Sequence, residues 1–170
     1  MYTETFDQMK KQLAQLDKWL GAAADHARSR NFDPDLFAAS RLAPDQFPLA
    51  RQVLICCDTV NAAASFLTGS AAEPQPEPGQ TLEALQVRVR ETISRLDRFS
   101  PGDFAGAATA VVSQPRWKGE WMTGADYFVQ HAVPNFFFHL TTAYAILRHN
   151  GVGLGKRDFL GPQTKHPPKQ

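Results

Sequence analysis

Cysteine is nearly absent: the 170 residues contain two, adjacent as Cys56 and Cys57. Sequence neighbours on a helix point about 100° apart and cannot readily bridge each other, so a disulfide framework is excluded. No CxxC pair and no zinc-type Cys/His spacing occurs, and this cysteine usage fits a reducing cytoplasm. A surplus of either charge is also missing. Lys+Arg number 18 against 17 Asp+Glu, a net charge of +1, so no global field would draw the chain to nucleic acid or to an anionic membrane. The basic residues are balanced locally by acids and the aromatics follow core spacing, which leaves nucleic-acid binding without support.

Long hydrophobic runs are lacking too. The longest lipophilic stretch, Ala132 to Leu147, is interrupted by Pro134, Asn135, His139, Thr141 and Thr142 and falls short of the ~20 residues of a membrane span. No membrane partner is expected. The start, "MYTETFDQMKKQL", has no continuous apolar core of a secretory signal, so no export is implied. A phosphate loop is absent as well, because "GVGLGK" follows a helix instead of opening one. No internal repeat is found.

Helical periodicity is present, four times over. Phe6, Met9, Leu13, Leu16, Leu20, Ala23 and Ala27 recur at steps of three and four and predict a long first helix, with Thr5 and Gln8 as a capping box. Leu49, Val53, Cys56, Val60, Ala63 and Leu67 predict a second, closed by Gly69. "SAAEPQPEPGQ" reads as a loop. A third helix opens at Thr81 and runs through Leu82, Leu85, Val89, Ile93 and Leu96 to about Phe99. Turn residues and β-prone pieces in "FAGAATAVVSQPRWKGEWMTG" predict a small hairpin centred on Gln114 to Gly119. The fourth helix starts at Thr123, capped with Asp126, and ends at Gly151, with a kink or break expected at Pro134. The fold expected is all-α, an antiparallel four-helix bundle with a small β-hairpin before the last helix. Residues 1–155 form its single domain and residues 156–170 a basic, Pro-rich tail.

The last helix carries polar groups beside its apolar seam. Val129, Val133, Phe136, Leu140, Ala143 and Leu147 form one stripe, and Phe128, Ala132, Asn135, His139, Thr142 and Ile146 form its neighbour. Asn135, His139 and Thr142 therefore stack towards the bundle interior or a cleft opening from it. A buried imidazole needs a partner, since leaving it unpaired costs roughly 1–3 kcal/mol. Asn135, one turn earlier, is the partner expected within reach. Trp117 and Trp121, with Lys118 and Glu120 between them, are expected either to wall one end of the same cleft or simply to close the bundle; Asp58 on the second helix is a further polar candidate. Cys56, on the apolar stripe, reads as a small core residue.

"APDQFPLARQV", "PNFFFHLTTAYAILRHNG" and "GKRDFLG" together resemble the DinB/YfiT-like superfamily of four-helix bundles, and within it the branch catalogued as domain of unknown function nineteen-ninety-three. The resemblance covers residues 2 to 161. It implies a metal held by three histidines, one from the second helix and an HxxxH pair from the fourth, serving hydrolase or thiol-transferase chemistry in some members. Here His139 matches the second histidine of the pair and Asn135 stands at the first; aligning "RQVLICCD" with the second-helix pattern puts Cys56 at the remaining place. An asparagine amide is a poor ligand for a soft divalent ion. The expectation is therefore no cofactor and no metal. The alternative is zinc or nickel on His139, Asn135 and Cys56, supporting a metal-dependent hydrolase or thiol transferase of the DinB type. The function expected is small-molecule binding beside the last helix, with His139, Asn135, Thr142, Trp121, Trp117 and Asp58 as the candidate pocket. A non-catalytic bundle acting through a homodimer or another partner is the third reading.

Overall fold

The computed structural model describes residues 1–73, 79 and 81–168. The loop read from "SAAEPQPEPGQ" lies largely outside the described residues, as do the last two residues of the tail. Helix α1 spans Tyr2–Ser29, and every member of its predicted stripe is buried. It starts before the Thr5–Gln8 pair. Met1 takes the cap position, and the Thr5 hydroxyl donates to the Met1 carbonyl at 2.9 Å, satisfied within the first turn.

A 3-10 turn at Pro34–Ala39 leads towards α2, Leu49–Thr68, which ends where Gly69 adopts φ +71°, a left-handed conformation that costs a glycine little. Helix α3, Leu82–Leu96, begins at Thr81, whose hydroxyl accepts from the Ala84 amide at 3.1 Å. It closes before Phe99.

The expected hairpin is present. Strands β1, Val111–Ser113, and β2, Trp121–Thr123, pair antiparallel with Val112 opposite Met122. Lys118 and Gly119, with φ +52° and +97°, make the tight return between them. Gly124 follows at once, and only glycine fits: a Cβ there would lie 1.9 Å from the Ala107 carbonyl oxygen. Thr123 caps the last helix as its spacing predicts, accepting from the Asp126 amide at 3.1 Å.

That last helix comes in three pieces: α4, Gly124–Tyr127; a π-helical turn, Phe128–Ala132; and α5, Val133–His149. Proline cannot donate to the preceding turn, and the wide π turn lies immediately before Pro134. One extra residue in a turn rotates what precedes it around the axis. Phe128 and Ala132 are therefore buried, whereas Val129 is 58% exposed and Val133 only partly buried. The stripe drawn through Val129 and Val133 is corrected on that ground. Downstream, Phe136, Leu140, Ala143 and Leu147 are buried as expected. On α3, Ile93 is partly buried.

The four long helices form the bundle, α2 against α5 and α3, α1 against α3 and α5. Lys10 meets Asp97 at 3.0 Å and Asp17 meets Arg90 at 3.2 Å, so α1 and α3 run in opposite directions. Phe6 lies 5.4 Å from Phe128 and Trp19 5.5 Å from Tyr144, so α1 and the last helix run the same way. The tail contributes one element, α6, Lys156–Leu160: Phe159 stacks 5.7 Å from Trp19, whose indole donates to the Asp158 carbonyl at 3.2 Å. Among the described residues no helix is long and apolar enough to cross a membrane.

Candidate functional site

Helices α2 and α5 meet along a polar ladder. Gln52, Cys56 and Thr59 recur at steps of four and three and so share one face of α2; Asn135, His139 and Thr142 share one face of α5. His139 Nδ1 sits 2.6 Å from Gln52 Oε1, and Asn135 Nδ2 donates to Thr59 Oγ1 at 2.7 Å. Thr142 turns back within its own helix and donates to the Phe138 carbonyl at 2.8 Å. The expected contact between Asn135 and His139 is not made. Each finds its partner across the helix pair, where a side chain of matching length bridges the 8–10 Å between axes.

The chemistry of the imidazole follows from its partner. Gln52 Nε2 donates to the Phe47 carbonyl at 2.8 Å, which leaves Oε1 facing the ring. An amide oxygen only accepts, so Nδ1 carries the proton. Burial first, and the Arg51 guanidinium second, hold His139 below its ordinary pKa of 6.5. It is neutral at pH 7, with Nε2 as the basic nitrogen.

Cys56, Asn135 and His139 are a poor set of donors for a metal. Cys56 Sγ faces the Phe136 carbonyl at 3.8 Å, and burial, then the neighbouring Cys57, pushes its thiol well above the usual cysteine range. Burial likewise pushes Cys57 up to about 12. Neither is a ready thiolate. Among the described residues no three His, Cys, Asp or Glu side chains come together in a way that could hold an ion. The group that faces His139 from α2 is Gln52, a neutral amide, one turn before Cys56. The donors present do not fit a divalent metal.

The remaining candidates lie elsewhere. Asp58 is exposed on another face of α2, its carboxylate 3.8 Å from the Arg88 guanidinium of α3. Trp117 and Trp121 line a hollow of about 610 Å³ together with Glu120, Met122, Gln130 and His131. The hollow lies where the hairpin meets the π turn. It brings the two predicted tryptophans together and leaves His139, Asn135, Thr142 and Asp58 out.

His131 is the residue that ties this hollow together. Arg116 Nη2 donates to His131 Nε2 at 3.0 Å, so the neutral ring keeps its proton on Nδ1. Trp117 lies 6.0 Å and Tyr127 5.4 Å from the imidazole. Burial, then the Arg116 charge, holds His131 below 6.5, and burial pushes the Tyr127 phenol up to about 12. Gln130 is held by Asp126 at 3.0 Å. The available signal was the Thr123–Asp126 cap: a helix starting there sends its first exposed turns directly under the hairpin.

Comparison with known proteins agrees with this architecture. A crystal structure of a DinB family member protein from Shewanella denitrificans superposes with a TM-score of 0.91 and is 43% identical over 96% of this chain and 93% of that one. No curated protein matches. The family model described as Domain of unknown function (DUF1993) matches residues 1–160. The chain is a member of that family, a branch with the DinB-like fold.

Proposed function

We propose that this protein binds a small aromatic molecule in the hollow beside the start of its last helix. The carrying observation is the pair of indoles on the hairpin, with Trp121 59% exposed, facing a volume of about 610 Å³. A hollow of 300–1,000 Å³ with an aromatic wall and a few polar groups is the usual form of a ligand site. Leaving an indole in water forgoes one of the larger apolar burials available to a side chain. A ring stacked on Trp117 and Trp121 would recover that area. Glu120 lines the hollow with a carboxylate, so a basic nitrogen directed to it is favoured, against the opposing charge of the Arg116 guanidinium held at His131. Indole faces attract such a cation by roughly 0.5–2 kcal/mol.

The ladder at His139 supports the fold around this site and offers little to a metal-dependent hydrolase, since its polar groups are paired to one another. The test is tryptophan fluorescence titrated with benzylamine and with benzyl alcohol, in wild type and Trp121→Ala. Saturable quenching by benzylamine, weaker for the alcohol and lost in the variant, supports the reading. Linear, non-saturating quenching that persists in Trp121→Ala would end it.

A further inference from the structure

We infer that the ligand of the hairpin hollow is a zwitterion, a free amino acid with an aromatic side chain, whose ammonium meets Glu120 and whose carboxylate meets Arg116. The inference rests on the reading above, that an aromatic ring stacks on Trp117 and Trp121, and adds the second charge that the ligand carries.

Two opposite charges that do not pair carry it. Glu120 lines the hollow, and Arg116 is exposed at its margin, joined to the lining residue His131 by the 3.0 Å bond to Nε2. The two stand on either side of the tight return at Lys118 and Gly119. Among the described residues neither forms an ion pair, with the other or with a third group. Elsewhere on the surface neighbouring charges do meet, Lys10 with Asp7 and Asp97, and Arg90 with Asp17.

The local bonds show what holds them apart. Arg116 is committed to the imidazole on one side. Glu120 is fixed by its backbone, its amide donating to the Trp117 carbonyl at 3.0 Å and its carbonyl accepting from the Ser113 hydroxyl at 2.8 Å. A guanidinium has further N–H donors beyond the one given to His131, in a planar fork that matches a carboxylate. Asp126, the other acid at the start of the last helix, is already engaged by the Thr123 hydroxyl at 2.6 Å and the Gln130 amide at 3.0 Å. Lys118 is exposed and also forms no ion pair, which makes it the competing cation.

A simple amine is drawn to Glu120 and repelled by Arg116, and a simple carboxylic acid meets the reverse. A free amino acid carries both charges on one carbon and answers both groups while its ring lies on the indoles. A residue inside a peptide has given both charges up to amide bonds.

The experiment titrates the full chain with L-phenylalanine, with L-phenylalaninamide, which keeps only the ammonium, and with N-acetyl-L-phenylalanine, which keeps only the carboxylate. The indole N–H chemical shifts are followed. Trp19, whose indole is bonded to the Asp158 carbonyl, serves as the internal control. Saturable shifts of Trp117 and Trp121 without Trp19 are expected, with phenylalanine binding about tenfold or more tighter than either derivative, the share of one charged contact. Arg116→Gln should reduce phenylalanine to the affinity of its amide and leave the amide unweakened; Glu120→Gln should reduce it to that of the acetyl derivative. Both positions are exposed, so the urea midpoint should not move. The inference is overturned if the amide saturates as tightly as phenylalanine, or if Lys118→Gln and not Arg116→Gln removes the difference; saturable benzylamine binding would then still stand. If benzylamine and all three probes fail to saturate, the underlying site reading fails and this inference with it.

Discussion

Replacing His139 by alanine tests the account of the polar ladder most directly. The imidazole is 8% and Gln52 1% exposed, so the 2.6 Å bond between them is almost wholly out of water. Truncation leaves Gln52 Oε1 without its donor, and an orphaned buried acceptor costs about 1–3 kcal/mol. Gln52 cannot swing away to water without breaking its own bond to the Phe47 carbonyl. A loss of about 1–3 kcal/mol is therefore expected in urea unfolding followed by circular dichroism, read as a lower midpoint at unchanged slope. The double variant Gln52→Leu/His139→Leu should recover much of that loss, since replacing both partners by apolar groups of similar size removes the orphan. The double-mutant cycle should give a coupling of about 0.5–3 kcal/mol. Metal analysis of the same samples adds an independent arm. Equal stability of wild type and His139→Ala would refute the ladder, and so would zinc or nickel near one equivalent that disappears with the histidine.

Four other outcomes follow from the same physics. Leu16 is fully buried on α1, so Leu16→Ala should cost about 2–5 kcal/mol in equilibrium unfolding; a loss below about 1 kcal/mol would mean that the site collapses. Gly124→Ala should be strongly destabilising in a thermal melt, because its Cβ would strike the Ala107 carbonyl, and an unchanged melting temperature would contradict the close approach. Both His131 and His139 are held below 6.5. The unfolded chain therefore binds more protons than the folded one as pH falls through 6.5, and the stability present above that value is lost progressively below it. Unfolding free energies measured between pH 5 and 7 should rise with pH, and His131→Gln/His139→Gln should flatten the slope. Cys56 and Cys57, both buried as thiols, should react with a thiol reagent only at the rate of unfolding; rapid labelling of the native protein would place one of them at the surface.

The elements of this chain were legible where the physics is local. Spacing of three and four predicts α1, α2 and α3, Thr81 and Thr123 act as caps, Gly69 and Gly151 stop their helices in left-handed turns, and the hairpin lies where turn residues separate β-prone pieces. Each depends on residues within a few positions of one another. The resemblance in "PNFFFHLTTAYAILRHNG" added the DinB-like family, which the comparisons bear out.

What only the tertiary structure decided is which residues meet. The π turn before Pro134 rotates the start of the last helix by one residue, so Val129 faces outward and His131 comes beneath Trp117. Gln52, not Asn135, answers His139, because the answering group stands on a helix that is 87 positions away in sequence and adjacent in space. Periodicity tells a helix which face is buried. It carries no information on the register of the helix packed against that face, and every pairing here is set by that register.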